Sequence, residues 1–302
     1  MQRLNTSEVA AIEANLFAGA RRIVREQPDF PWHRDSRGAV TATQPNSSQA
    51  LAVDLFGTID VLSSRNAIVD AWMADMSLTL AGPWTIELEA LLPRELLGER
   101  RQTQMDALAI GITGIAVFEC KFTEPDGGGC SQPVPLSRGA HGGMRQCDGN
   151  FRDQVNPVNN VRAPCALTGK GIRYWDLIPD VLAIDPTLEH RPCPFSGGWY
   201  QWMRNLVAAS ALGRTKGLPA AVVVVYADGP FPMAWKVGSG EWHRLNELAA
   251  GRQVPLRTVS YQHLLVVAAN AAQATERALI DQLSAWMEAK YATVAAIPEP
   301  TA

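Results

Sequence analysis

Long apolar runs are scarce in this chain. The longest, around Leu218 to Ala227, falls far short of the roughly 20 residues a helix needs to cross a bilayer, so no transmembrane helix and no membrane partner are expected. A basic start followed by an unbroken apolar stretch is also missing. The first residues, MQRLNTSEVAAIEANLFAGARR, are amphipathic and carry Glu8 and Glu13, which argues against an export signal. Cysteines are few and odd in number, five in all. Without export they read as free thiols or metal ligands in a reducing cytoplasm, the expected location, rather than as a disulfide framework. The net charge is only −3, which excludes a uniformly basic surface, so any phosphate-binding face must be local. One segment fits that description. From Cys130 to Trp175, six basic residues (Arg138, Arg145, Arg152, Arg162, Lys170, Arg173) stand against Asp148 and Asp153; it is either a phosphate-facing surface or an Arg-rich solvated loop.

Several signatures are absent too. Gly169-Lys170-Gly171 lacks the upstream glycine and the following Ser or Thr of a nucleotide-binding loop. No C-x-x-C occurs, and the five histidines form no H-x-x-x-H pair, so the usual zinc modules do not apply.

What remains is the composition of a folded α/β protein, 47% hydrophobic and 19% charged over 302 residues, long enough to bury a core without disulfides. Helical spacing covers about Thr6 to Glu26, followed by a connector from Gln27 to Gln44. A second helix starts on the N-cap Asn46-Ser47-Ser48 and is expected to break at Gly57; another covers Ser63 to Met76. Trp84 to Ala90 alternates, with Trp84, Ile86, Leu88 and Ala90 on one face and Thr85, Glu87 and Glu89 on the other, a strand with an acidic side. Met105–Ile110 and Ile115–Phe122 flank Gly111-Ile112-Thr113-Gly114 as a hairpin, so three strands form a meander. Glu124 to Ser196 is irregular and rich in Gly, Pro, Asn and Cys, too long for an ordinary loop and in need of an ordering device. Beyond it come a helix (Trp199–Leu212), a buried strand (Ala220–Tyr226), an apolar run of undecided state (His263–Ala271), an amphipathic helix (Ala274–Tyr291) and a frayed tail (Pro298–Ala302). The division is therefore an N-terminal helix and connector, about 1–45, and one catalytic domain, about 46–302, with a Cys-rich insertion at about 124–196.

With the hairpin turn centred between Ile112 and Thr113, Asp106 faces Glu119 across the strands, Cβ atoms about 5 Å apart. Lys121, two residues further on, shares the face of Glu119. Two carboxylates this close repel unless a cation or a shared proton offsets them, and hard oxygen ligands suit Mg²⁺ or Mn²⁺. A divalent ion there could polarise a phosphodiester and acidify water, with Lys121 orienting that water or facing the developing charge. E-x-K alone is most often a solvated salt bridge; its setting in the apolar run Ile115-Ala116-Val117-Phe118, with an acid in register across a turn, favours the catalytic reading.

The runs TQMDALAIG and GIAVFECKF resemble the core hairpin of the PD-(D/E)XK, restriction-endonuclease-like nucleases. With SSQALAVDLFG and ELEALLPRELLGER before them and ALTGKGIRYW after, the pattern from about Ser47 to Asn205 resembles a group of bacterial restriction endonucleases. The resemblance implies a mixed central sheet flanked by helices, Mg²⁺- or Mn²⁺-dependent phosphodiester hydrolysis with DNA the favoured substrate, and Asp106, Glu119 and Lys121 as the catalytic group. Met105 stands where many relatives have proline. A further acid near the metal is implied, Glu89 first and Glu87 second, and Gln49 is a candidate substrate-side or structural polar residue.

Cys120, between Glu119 and Lys121, turns to the core. Cys130, Cys147, Cys165 and Cys193 all lie in or beside the irregular insertion, where four thiolates on one metal would supply order. Zn²⁺ and an iron–sulfur cluster both remain open, as do four isolated thiols, and the resemblance leans toward the cluster. Lys170 and Arg173, beside Tyr174 and Trp175, are candidate nucleic-acid contacts, or equally an aromatic core with solvated cations. The competing functional expectation is a catalytically silent nucleic-acid-binding or assembly protein of the same fold, organised by a Cys-bound metal.

Overall fold

The structure is a computed structural model that describes residues 3–296. Pro298–Ala302 therefore lies outside the described residues. Helices α1 (Thr6–Asn15), α2 (Arg22–Glu26), α3 (Ser48–Ile59) and α4 (Arg65–Asp75) precede the strands β1 (Thr85–Leu91), β2 (Gln104–Ile110) and β3 (Ile115–Lys121). The insertion follows, with a two-residue hairpin β4–β5 (Gln154–Val155, Arg162–Ala163) and α5 (Tyr174–Val181). The chain then runs through α6 (Tyr200–Lys216), β6 (Ala220–Tyr226), α7 (Pro232–Val237), α8 (Gly240–Ala249), β7 (Leu256–Ser260), α9 (Tyr261–Ala271) and α10 (Ala274–Ala295).

The main sheet has the order β1-β2-β3-β6-β7. The first three strands are antiparallel, while β6 joins β3 and β7 joins β6 in parallel. A parallel neighbour cannot be reached by a tight turn, and α6 supplies the crossover from β3 to β6. The result is the mixed sheet flanked by helices that the family resemblance implies. Alternation along β3 and β6 divides the core: Ala116, Phe118, Cys120, Val223 and Val225 pack with α3, α4, α9 and α10, and Ile115, Val117, Val222 and Val224 pack with α5, α6 and α8. A third cluster joins α1, α2 and the connector to Ala50 and Val53 of α3.

Three differences from the sequence expectations have physical causes. The first helix stops at Asn15 because the Phe17 N–H donates to Asp54 Oδ1 at 2.6 Å, which pulls the chain out of helical register. Gly57 does not break α3; it is buried within the helix, where a Cβ would make ordinary contact with Ile23 and Leu88 at 3.5 Å, so packing of α3 outweighs its weak helix propensity. The insertion also has more apolar order than its composition suggests. Phe151 and Trp175 stack with centroids 3.6 Å apart, and Phe195 packs on Trp175 at 5.5 Å. His263–Ala271 is helical, on an N-cap in which Ser260 Oγ accepts from the His263 N–H at 3.1 Å. Among the described residues no helix is long and apolar enough to cross a membrane.

Candidate active site

The hairpin register is the one expected: Ala107 pairs with Phe118 and Ile110 with Ile115. Continued by one step it sets Asp106 opposite Glu119. Ordinary pairing ends there, because Asp106 Oδ2 accepts the Cys120 N–H at 2.6 Å. A side chain takes the place of a backbone carbonyl, which anchors the carboxylate between the two strands.

On the other side of β2 the same residue faces Glu89. Leu88 pairs with Ala107 and Ala90 with Met105, leaving Glu89 and Asp106 as the unmatched position. Glu89 has φ +52°, a left-handed conformation that costs a residue with a side chain about 1–2 kcal/mol and is concentrated at functional sites. This kink corrects the alternation expected for β1. Ile86 and Leu88 pack on one side of the sheet, whereas Ala90 and Leu92 belong to the other core cluster. Glu87 and Glu89 consequently part company, Glu87 exposed and Glu89 buried.

Glu89, Asp106 and Glu119 thus form a row across three adjacent strands. Glu89 Oε2 accepts from Gln104 Nε2 at 2.5 Å and lies 3.2 Å from His33 Nε2, while Glu89 Oε1 is buried without a hydrogen-bond partner. Burial, and then the charges of Glu119 and Glu89, push the Asp106 carboxyl well above the usual range.

Glu119 turns toward α6. Its Oε1 accepts from Lys121 Nζ at 2.9 Å and Gln201 Nε2 at 2.5 Å, and its Oε2 accepts from Asn205 Nδ2 at 2.7 Å. Lys121 Nζ also donates to Gln201 Oε1 at 2.8 Å and lies 5.4 Å from the centroid of the Trp202 ring. Burial would lower the Lys121 pKa, but Glu119, Asp106 and Glu124 outweigh it and raise it. Glu124 completes the surroundings, accepting from Ser48 Oγ at 2.6 Å and from the Phe122 N–H at 2.9 Å.

Among the described residues, no group of three or more His, Cys, Asp or Glu side chains is placed so that it could hold a metal ion. The acidic row nevertheless has the chemistry of a divalent-cation site: hard oxygen donors, a buried carboxylate oxygen with no partner, and a carboxyl pushed up by burial and then by the charges of its neighbours. Asp106, Glu119 and Glu89 are the residues that would hold Mg²⁺ or Mn²⁺.

The other residues singled out from the sequence lie elsewhere. Gln49 is buried, its amide consumed by the chain itself: Oε1 accepts the His33 N–H at 2.9 Å and Nε2 donates to Pro31 O at 3.2 Å, which fixes the turn that brings His33 to Glu89. Lys170 Nζ donates to the side-chain oxygens of Gln132 and Gln146 inside the insertion. Arg173 is exposed and donates to Glu95 O at 2.6 Å and Leu96 O at 3.0 Å. Of the six basic residues in that segment, Arg152 and Arg162 pair with Asp148 and Asp153.

Four residues around the acids escaped the sequence reading: His33, Gln201, Asn205 and Glu124. Gln201 and Asn205 carried a signal, two amides at i and i+4 on the helix after the catalytic hairpin, hence on one face. His33 had none, since only the Gln49 clamp delivers it.

The sequence model of one family, described as restriction endonuclease associating with ARP, matches residues 6–292. No curated protein and no solved structure matches the chain significantly. The match runs from α1 into α10 and takes in the whole acidic row, together with a sheet of restriction-endonuclease-like form, so the chain belongs to this restriction-endonuclease family.

Proposed function

We propose that the protein is a Mg²⁺- or Mn²⁺-dependent nuclease of PD-(D/E)XK type that hydrolyses phosphodiester bonds, DNA being the preferred substrate. The observation that carries the reading is the row Glu89–Asp106–Glu119 across three strands with Lys121 buried at its end. The family description agrees with it.

A divalent ion bound by the three carboxylates would supply Lewis acidity toward a phosphate oxygen and lower the pKa of water. The chain's own groups do the rest. In the metal-free protein the carboxylates of Glu119, Asp106 and Glu124 outweigh burial and favour the Lys121 ammonium. It serves as a hydrogen-bond donor that orients the attacking water or faces the developing negative charge. Gln201 bridges Lys121 and Glu119, and Asn205 holds the second Glu119 oxygen. These contacts aim both side chains before substrate arrives, the preorganisation that makes such charges effective.

The test is cleavage of plasmid, linear, single-stranded and RNA substrates with Mg²⁺ or Mn²⁺, then with EDTA, by the wild type and by Asp106→Ala, Glu119→Ala and Lys121→Ala. Metal-dependent cutting lost in all three variants is the expected result. Binding without cleavage across the panel would make the protein a catalytically silent member of the fold.

A further inference from the structure

We infer that Cys130, Cys147, Cys165 and Cys193 bind one thiophilic metal centre, Zn²⁺ or an iron–sulfur cluster, which fastens the insertion to the start of α6.

The first support is how the backbone ties the cysteines together. The Cys130 N–H donates to Phe195 O at 3.0 Å, two residues past Cys193. The Cys193 N–H donates to Gly149 O at 2.9 Å, two residues past Cys147, and the Cys147 N–H donates to Gln132 O at 3.3 Å, two residues past Cys130. Three segments far apart in sequence close into a ring in which each cysteine is bonded to the turn that follows another. Cys130, Cys165 and Cys193 pack against the same core cluster, and the Arg152 N–H donates to Pro164 O at 3.2 Å, which ties the residue before Cys165 to the segment after Cys147.

The second support is the turn after each of the three. Burial raises the thiol pKa of Cys130, Cys147 and Cys193 in the metal-free protein, and the N–H groups of Gln132, Gly149 and Phe195, each two residues on, oppose that rise. The same i to i+2 turn thus recurs at three of the cysteines, and its N–H would help a thiolate formed on metal binding. Gly149 adopts φ +87°, which a side chain would oppose, so that turn needs glycine.

The third is compensation of charge. Four thiolates on a divalent ion leave a net charge of about −2. Lys170 is held beside them by hydrogen bonds to Gln132 and Gln146, the neighbours of Cys130 and Cys147. This gives Lys170 a role its sequence context did not reveal. Among the described residues the four thiols are not placed as a group that could hold a metal ion, so binding requires the sulfurs to move together.

The centre reaches the acidic row through the backbone. Beside the Cys130–Phe195 bond, the Gly127 N–H donates to Gly198 O at 2.9 Å, the Tyr200 N–H to Gly128 O at 3.1 Å and the Gln201 N–H to Gly127 O at 2.9 Å. The metal would thereby clamp the first turn of α6, from which Gln201 reaches Glu119 and Lys121.

The experiment measures metal content and labile sulfide in anaerobically purified full-length protein, compares Cys147→Ser and Lys170→Met with wild type, and follows Co²⁺ uptake by chelated wild type. Expected are about one zinc per chain in a colourless sample, or iron with matching sulfide in a brown one. Cys147→Ser should retain at most about a tenth of that metal and Lys170→Met should lose it faster to chelator. Chelated protein should show the visible bands of sulfur-ligated Co²⁺ and new proteolytic cleavage between residues 124 and 198. Wild-type protein without zinc or iron that also takes up no Co²⁺, or disulfides among the four cysteines, would overturn the inference. These readouts need no nuclease activity, so they stand or fall apart from the catalytic reading.

Discussion

Glu89 lies directly across from Asp106 in the β1–β2 register, at the one position between Thr85–Ile110 and Leu91–Gln104 where the two strands do not pair. The left-handed backbone of Glu89 turns its carboxylate away from the exposed side that Glu87 occupies and into the acidic row. If this strain serves the site, two substitutions should separate conformation from chemistry. Glu89→Ala and Glu89→Gly should both lower cleavage about 10- to 100-fold or more. In urea, Glu89→Gly should exceed Glu89→Ala by roughly 1 kcal/mol, because only glycine adopts that φ freely. Equal stabilities would show that the kink costs nothing.

Asp106 gives a pH dependence of defined sign. Its folded-state pKa is raised by burial and by Glu119 and Glu89, so in metal-free protein the folded state holds a proton that the unfolded chain has released. Stability then declines as pH rises from the unfolded carboxylate range, about 4, toward the folded value. Asp106→Asn should flatten that slope and melt higher than wild type near neutral pH without metal, and Mg²⁺ should stabilise the wild type alone. Matching melting curves for the two proteins from pH 5 to 8 in EDTA would refute this account.

The amides on α6 are positioning groups. Asn205→Ala and Gln201→Ala should each reduce cleavage about 10- to 100-fold, with kcat falling more than KM rises, because Lys121 and Glu119 lose their orientation but keep their chemistry. Asn205→Asp, which sets a second carboxylate against Glu119 Oε2, should be worse than Asn205→Ala. Single-turnover kinetics at saturating substrate would decide it, and unchanged rates in both alanine variants would remove α6 from the mechanism.

Away from the site, Asp54 accepts from the Phe17 N–H, from Trp286 Nε1 at 2.9 Å and from Lys290 Nζ at 2.7 Å, binding α3 to α10 and to the chain leaving α1. Both charged groups are buried. Asp54→Ala should destabilise by about 3–5 kcal/mol, since it strands a buried ammonium, whereas Asp54→Leu combined with Lys290→Met should cost markedly less. Urea denaturation of the single and double variants checks it; a double variant as unstable as Asp54→Ala would mean that packing, not the stranded charge, sets the cost.

The sequence by itself determined the elements whose pattern is local. The period-2 runs of β2 and β3, the glycine shoulders at Gly111 and Gly114 and the valines of β6 appear where their chemistry puts them, and the hairpin register that aligns Asp106 with Glu119 follows from the turn alone. Ser47 caps α3 as its hydroxyl suggests, accepting from the Ala50 N–H at 3.2 Å. The tertiary structure decided whatever depends on partners distant in the chain. Phe17 leaves its helix because Asp54, 37 residues away, captures its N–H. β1 changes face at Glu89, a left-handed residue that no period-2 pattern announces. His33 reaches Glu89 only because Gln49 clamps its backbone, and Gln201 meets Lys121 only because α6 crosses over β3. Local steric and hydrogen-bonding preferences can be read from neighbouring residues, whereas a carboxylate's partners are set by which elements pack against it, and that is fixed only when the whole core closes.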